Sequence, residues 1–234
     1  MNVNKFKEEL EKINIKITDE QLNQLEIYYK LLIEWNEKMN LTGITEKEDV
    51  YLKHFYDSLT INKIIDLKKE ESLCDMGTGA GFPGMVLKIV FPHLKVTLVD
   101  SLNKRIEFLK EVGKKLNLKN IEFVHARIEE YAKENIEKYD IVTARAVAHL
   151  SILLEYSIPM VKINKYFIAM KGNMTEELEE SKNAIKVLNC NIENKIEFQL
   201  PIEDSNRTIL KIKKSTKTNK KYPRRNSEIK KNRL

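Results

Sequence analysis

Four of the chain's seven glycines fall within eight residues, in the stretch Cys74-Asp75-Met76-Gly77-Thr78-Gly79-Ala80-Gly81-Phe82-Pro83-Gly84. The apolar run before them ends a strand, the glycines turn the chain, and Pro83 suits the first turn of a helix. Glycines permit both a tight turn and the close approach of a ligand to the backbone. A plain strand–helix connection needs one glycine rather than four. The stretch therefore predicts a ligand-binding strand–loop–helix unit and points the chain towards an α/β layout.

The rhythm beyond residue 72 agrees with that layout. Short β-rich runs are predicted at 73–76, 96–99, 121–124, 141–143, 166–170, 196–200 and 208–212. Helical patterns fall between them at 83–91, 103–116, 149–161 and 176–188. Alternation of this kind builds a doubly wound parallel sheet. The last two strands have only a link near 201–206 between them, which calls for an antiparallel hairpin at the sheet edge. The expected fold is thus α/β: a seven-stranded, mostly parallel sheet with an antiparallel edge hairpin, the architecture of the Rossmann-like class I methyltransferases.

Residues 1–65 read as a helical extension. Thr18 caps a helix with Gln21 in capping-box position, and Leu22, Leu25, Tyr29, Leu32 and Ile33 recur at helical spacing. Asn40-Leu41-Thr42-Gly43 breaks it, and a second helix is expected over 46–65 with Tyr51, Phe55 and Leu59 on one face. Residues 66–214 form the expected core domain. The formal charge is +6, yet residues 211–234 alone carry +10, leaving −4 for the rest. The segment 215–234 is therefore expected to be a basic, flexible tail. It is either a solvated end or a contact for a polyanion such as nucleic acid.

No apolar run approaches the ~20 residues that span a bilayer, and the charged start has no signal-peptide core. A cytoplasmic protein without a membrane partner is expected. Cys74 and Cys190 make neither a disulfide framework nor a zinc site, so no metal is expected.

Two ligand classes fit the glycine loop. Gly79-x-Gly81-x-x-Gly84 formally matches a dinucleotide fingerprint, whose first glycine should closely follow the strand; counted from Gly77, the third position is Phe82 and the match fails. The acid-x-Gly-x-Gly-x-Gly pattern from Asp75 to Gly81 resembles motif I of S-adenosylmethionine enzymes. That ligand carries a sulfonium and an amino group, which a nearby acid such as Asp75 favours. The methyl donor is the better fit, with a nicotinamide-dependent oxidoreductase as the alternative. Asp100 ends the second strand about 20 residues on, placed to accept ribose hydroxyls or to cap the next helix. Arg127-Ile128-Glu129 follows the third strand, either at an adenine contact or as a solvated loop.

The fourth strand runs into Ala144-Arg145-Ala146 and lacks the Asn/Asp-Pro-Pro-aromatic motif of enzymes that methylate exocyclic amines. Neither cysteine suits a carbon-5 pyrimidine mechanism. Acceptors that are already nucleophilic remain, guanine N7 among them, for which alignment suffices and no general base is needed. Arg145 is placed to contact phosphate, guanine O6 or the cofactor, or to form a strand-end salt bridge. Lys171 reads as an RNA-backbone contact or plain surface, and His54 has no visible metal partners.

Taken together, the chain resembles the bacterial small-subunit ribosomal RNA methyltransferase G family, also called glucose-inhibited division protein B. The resemblance rests on Trp35-Asn36, Asn40-Leu41-Thr42, His54-Phe55-Tyr56-Asp57-Ser58, the glycine loop, Val99-Asp100-Ser101-Leu102-Asn103-Lys104-Arg105, Thr143-Ala144-Arg145-Ala146 and Tyr222-Pro223-Arg224. It implies transfer of a methyl group from S-adenosylmethionine to N7 of a guanine in 16S rRNA, leaving S-adenosylhomocysteine. It places cofactor contacts at Gly77, Phe82, Asp100, Ser101, Leu102, Ile128, Glu129 and Arg145, beside Asp75 and Gly79 from the motif. Arg145 is the expected catalytic residue. RNA contacts are expected at Lys171, Lys220, Lys221, Arg224 and Arg225. The expected partner is 16S rRNA, the small subunit or an assembly intermediate, bound by a monomer. The family's glycine and proline spacing is missing from residues 225–234, and Ile128 stands where the family has a smaller residue. A non-catalytic RNA-binding module is the remaining alternative, which the intact Asp75, Gly77, Gly79, Gly81 and Asp100 oppose.

Overall fold

The computed structural model describes residues 1–145 and 148–234; Ala146 of the 143–146 motif lies outside them. Seven strands form one sheet: β1 (Ser72–Met76), β2 (Lys95–Asp100), β3 (Ile121–His125), β4 (Tyr139–Arg145), β5 (Val161–Lys171), β6 (Cys190–Gln199) and β7 (Asn206–Lys214), in the order β3-β2-β1-β4-β5-β7-β6. β1 to β5 are parallel, and β7 runs antiparallel to both β5 and β6. Residues alternate between two buried clusters: Leu73, Val96, Leu98, Ile141 and Ile168 face one side, Cys74, Val99, Val142 and Phe167 the other. Central strands covered on both faces read as near-continuous apolar runs.

One side is covered by α1 (Val3–Lys12), α2 (Asp19–Asn36), a helical run over residues 47–63, α5 (Gly84–Val90) and α6 (Asn103–Lys115). The capping box at Thr18 is present, with Gln21 N–H donating to Thr18 Oγ1 at 3.2 Å and Thr18 N–H to Gln21 Oε1 at 3.0 Å. Gln21 Nε2 also donates to the carbonyls of Ile89 and Val90, tying the extension to the last turn of α5. The helix expected over 46–65 changes pitch along its length. It comprises α3 (Lys47–Asp49), a π-helical stretch (Val50–Tyr56), α4 (Asp57–Leu59) and a 3-10 turn (Thr60–Lys63). Helix α1 falls within the expected helical extension of residues 1–65, where the sequence set no bounds for it; Phe6 and Leu10 anchor an otherwise charged segment.

The other side carries α7 (Ile128–Glu134), α8 (Leu150–Met160), α9 (Thr175–Glu180), α10 (Lys182–Val187) and α11 (Asn226–Lys231). Residues 127–129, read as a possible loop, open α7. The helix expected over 176–188 breaks at Ser181, whose hydroxyl donates back to the Glu177 carbonyl at 2.6 Å and competes with the helical ladder. β6 begins well before the predicted residue 196, since its alternating polar residues suit an exposed edge.

The tail departs from the expectation of a flexible end. Tyr222 and Ile229 are buried. Arg224 donates to the fully buried Glu155 from its main chain at 2.9 Å and from its guanidinium at 2.8 and 2.7 Å. Lys214 is a core residue with a fully buried side chain 3.2 Å from Glu137, its amine pushed below its usual pKa by burial. Lys211 and Lys213 pair with Glu193. Part of the charge that marked the segment as a free basic tail is thus consumed inside the fold. No helix among the described residues is long and apolar enough to cross a membrane.

Candidate active site

The strand order reverses between β1 and β4, and open α/β sheets bind ligands at the carboxyl ends of strands beside such a reversal. The glycine loop lies there. Gly77 and Thr78 donate to the Val99 carbonyl at 2.9 and 3.0 Å, so the loop is fastened to β2. Gly79 has φ +61° and nothing within 4 Å of where a Cβ would stand. Gly81, at φ +100°, has no such room: a Cβ would lie 2.5 Å from Tyr28 Oη and 2.8 Å from Leu109 and Met85. Tyr28, from α2, donates to the Ala80 carbonyl and stacks on Phe55 and Phe82, so the extension buttresses the loop from behind.

Asp75 is fully buried. Its Oδ2 accepts from Thr78 Oγ1 at 2.6 Å and Gly84 N–H at 2.8 Å, while Oδ1 has no partner. Burial pushes its pKa up to about 6, opposed by the hydrogen bonds from Thr78 and Gly84. A buried carboxylate with one oxygen unsatisfied fits a cationic, N–H-bearing ligand group, as the amino end of S-adenosylmethionine provides. Asp100 Oδ1 accepts from Leu102 N–H at 2.9 Å, and its Oδ2 from Gly79 N–H at 2.9 Å and Arg105 at 3.3 Å. It therefore ties the start of α6 to the glycine loop. The Ser101 carbonyl contacts His125 Nε2 at 3.1 Å. Leu102 is exposed at the rim, Glu129 is buried in the first turn of α7, and Ile128 is half-buried beside it.

Across Phe82 lies a second cluster. Arg145, at the end of β4, donates to Asp57 Oδ2 at 3.0 Å and the Lys53 carbonyl at 3.2 Å, and its Nη2 lies 3.3 Å from His54 Nδ1. Its guanidinium sits 5.3 Å from the Phe82 ring centroid, and His54 stacks on the same ring at 4.3 Å. Burial, with the Arg145 charge adding to it, pushes the His54 pKa down to about 3. The imidazole is therefore neutral, with Nδ1 accepting from Arg145 and Nε2–H donating to Thr42 Oγ1 at 2.8 Å. Asp57 Oδ1 also accepts from Arg207 Nε at 2.9 Å. One buried carboxylate thus bridges two arginines and leaves one positive charge in excess. Beside them opens a cleft of about 250 Å³, lined by His54, Asp57, Arg145, Lys171 and Arg207.

The structure thus gathers Asp75, Gly77, Gly79, Asp100 and Arg145 at one end of the sheet. Phe82 is buried as the wall between the two clusters. Lys171 borders the cleft but is paired with Glu177 at 2.5 Å, and Arg224 is held by Glu155; neither presents the free charge expected of a phosphate contact. Asp57 and Arg207 were not singled out by sequence. Asp57 lies within the 54–58 block that carries the family resemblance, whereas Arg207 stands in no motif.

The chain is similar to known proteins over nearly its whole length. A family model described as rRNA small subunit methyltransferase G matches residues 21–210. The chain is 53% identical to the ribosomal RNA small subunit methyltransferase G of Bacillus licheniformis over 96% of its own length and 95% of that protein. Among solved structures, the mitomycin 7-O-methyltransferase MmcR superposes with a TM-score of 0.58 at 14% identity, covering 80% of this chain and 60% of that one. A SAM-dependent methyltransferase from Aquifex aeolicus superposes at 0.53 and 18% identity, covering 77% and 97%. These two similarities establish the fold, a class I methyltransferase sheet with its antiparallel edge.

Proposed function

The chain belongs to the rRNA small subunit methyltransferase G family, and from that premise we propose how its two clusters divide the reaction between them. The protein is an S-adenosylmethionine-dependent 16S rRNA methyltransferase acting on guanine N7. When bound, the cofactor supplies a methyl group activated by its sulfonium. The cofactor half comprises Gly77 and Gly79, whose backbone lets it approach, Asp75 for its amino group, and Asp100 for its ribose hydroxyls. Ser101, Leu102, Ile128 and Glu129 border the adenine, and Phe82 with Arg145 closes the far side.

The acceptor half is the cleft of Arg145, Asp57 and Arg207. Guanine N7 has a free lone pair and carries no proton, so the chain need only hold the base in place. Transfer is direct and in-line, without a covalent intermediate or a general base. The cysteines support this reading. Cys74 is fully buried in β1, and Cys190, at the start of β6, has its thiol pushed up to about 12 by burial, so neither offers a thiolate. Arg145 acts by orienting the base through its O6 edge or a flanking phosphate, held in place by Asp57.

The observation that carries the division is the unpartnered Oδ1 of Asp75 on one side of Phe82 and the shared Asp57 carboxylate on the other. The substrate is 16S rRNA in the small subunit or its assembly intermediate, met in the cytoplasm by a monomer. Single-turnover transfer at saturating cofactor tests the mechanism. Its rate should be flat from pH 6.5 to 9; a rise with a defined pKa in that range would reveal a catalytic base.

A further inference from the structure

The folded tail builds a concavity that the methyl-transfer site does not use. After β7 ends at Lys214, residues 217–225 curl beside the last turn of α7 and enclose a groove of about 820 Å³. Its charged rim is Lys133 from α7 and Lys217, Lys220, Lys221 and Arg225 from the tail; Glu228 and the Glu155-bound Arg224 also line it. All five rim cations are exposed, and none is within ion-pair distance of a carboxylate among the described residues. Unpaired exposed lysines occur elsewhere too, Lys16, Lys68, Lys114 and Lys115 among them; what sets this groove apart is that five such cations border one concavity. Five cations without ion-pair partners around one concavity describe a site complementary to a polyanion's oxygens.

The groove's position adds a constraint. β7 runs antiparallel, so its end lies with the starts of the parallel strands, where Lys213 pairs in register with Tyr166. The groove is therefore at the opposite end of the sheet from the glycine loop, roughly 20 Å away at the usual rise per strand residue. From there the tail returns along α8. Arg224 binds Glu155 in the middle of that helix, and Arg233 lies 3.7 Å from Glu180, which also contacts His149 at the start of α8. Lys230 and Lys231 lie on this returning segment, again without ion-pair partners among the described residues. Lys230 and Lys231 thus add two exposed charges on the path from the remote groove towards the catalytic end.

Resting on the rRNA methyltransferase reading, we propose that this groove is a second RNA site. It holds backbone phosphates of the substrate rRNA about one sheet length from the methylated guanine, and the returning tail carries the strand towards the cleft. The site contributes affinity and register and has no part in transfer.

The test compares the full-length wild type with two charge-matched variants. K133Q/K217Q/K220Q/K221Q removes four of the five rim cations, and K16Q/K68Q/K114Q/K115Q removes four exposed, unpaired lysines elsewhere. Binding to small subunits carrying unmethylated 16S rRNA is measured across a salt series, with cofactor affinity as the report of folding. The groove variant should lose about tenfold or more in RNA affinity and about three from the slope of log K against log salt. Its KM for subunits should rise while kcat and cofactor affinity hold, and the control variant should match the wild type. Equal losses in both variants would reduce the effect to net charge and overturn the site. An unchanged slope in the groove variant would overturn it too, while leaving the methyltransferase standing. Failure of the wild type itself to methylate subunits would overturn the functional reading and the groove together.

Discussion

The two clusters at the carboxyl end of the sheet are built in different ways. The cofactor half is one contiguous stretch, residues 75–84, with Asp100 one strand away, and it is fastened largely through main-chain groups. The acceptor half is made of side chains from positions 53–57, 145, 171 and 207, which only the fold brings together. A site made of backbone fails when a side chain intrudes. A site made of paired charges fails when one charge is withdrawn.

The largest expected effect probes the first kind of failure. Gly81→Val places a Cβ 2.5 Å from Tyr28 Oη at a left-handed φ and should lose about 3–5 kcal/mol in denaturant unfolding. Gly79→Ala meets no atom and should lose only about 1 kcal/mol of stability. If the two substitutions were equally harmful, the claim that the loop has a packed back and an open, ligand-facing front would break.

Withdrawing a charge should come next. Asp57→Asn leaves two partly buried guanidiniums without their shared carboxylate and should lose about 3 kcal/mol of stability. Because it displaces Arg145, it should also slow transfer about a hundredfold. Cofactor affinity should change less than tenfold, a split read by comparing single-turnover rates with calorimetric binding. A cofactor defect as large as the rate defect would merge the two halves into one.

Asp75→Asn should do the reverse, weakening cofactor binding by about tenfold to a hundredfold and leaving rRNA affinity alone. The pH dependence sharpens this. Asp75 has a folded pKa near 6, above its usual 3.8, so its protonated form favours the ligand-free fold. That contribution is full below pH 3.8 and is lost as pH rises through 6. Cofactor binding needs the ionised form, so affinity should fall as pH drops below 6, by at most about tenfold per unit. Ligand-free stability and cofactor affinity therefore move in opposite directions with pH. Both trends should vanish in Asp75→Asn, as melting and titration between pH 5 and 8 would show.

The same contrast explains what was legible in the sequence. Glycines, the acid before them and alternating β and α runs are local signals, and they yielded the sheet, its antiparallel edge and the glycine turn between β1 and α5. The bounds of helix α1 escaped because Phe6 and Leu10 are too few apolar residues to stand out against its charges. The pitch change through Val50–Tyr56, which presents the Lys53 carbonyl and His54 to Arg145, leaves no composition signature. Asp57 and Arg207 are 150 residues apart, and no spacing rule joins them. Composition suggested a free tail because charge counting cannot see Lys214 under Glu137 or Arg224 on Glu155.

The division of the site rests on one reaction, and the position of the new methyl group tests it most directly. Small subunits lacking the modification are incubated with the wild-type protein and labelled S-adenosylmethionine. Their 16S rRNA is then treated with borohydride and aniline, which cut at N7-methylguanine. A single cut that depends on wild-type protein, and that fades in Asp57→Asn while cofactor binding persists, is the expected result. Label incorporated into 16S rRNA without any cut would contradict transfer to N7 and the base-free mechanism built on it.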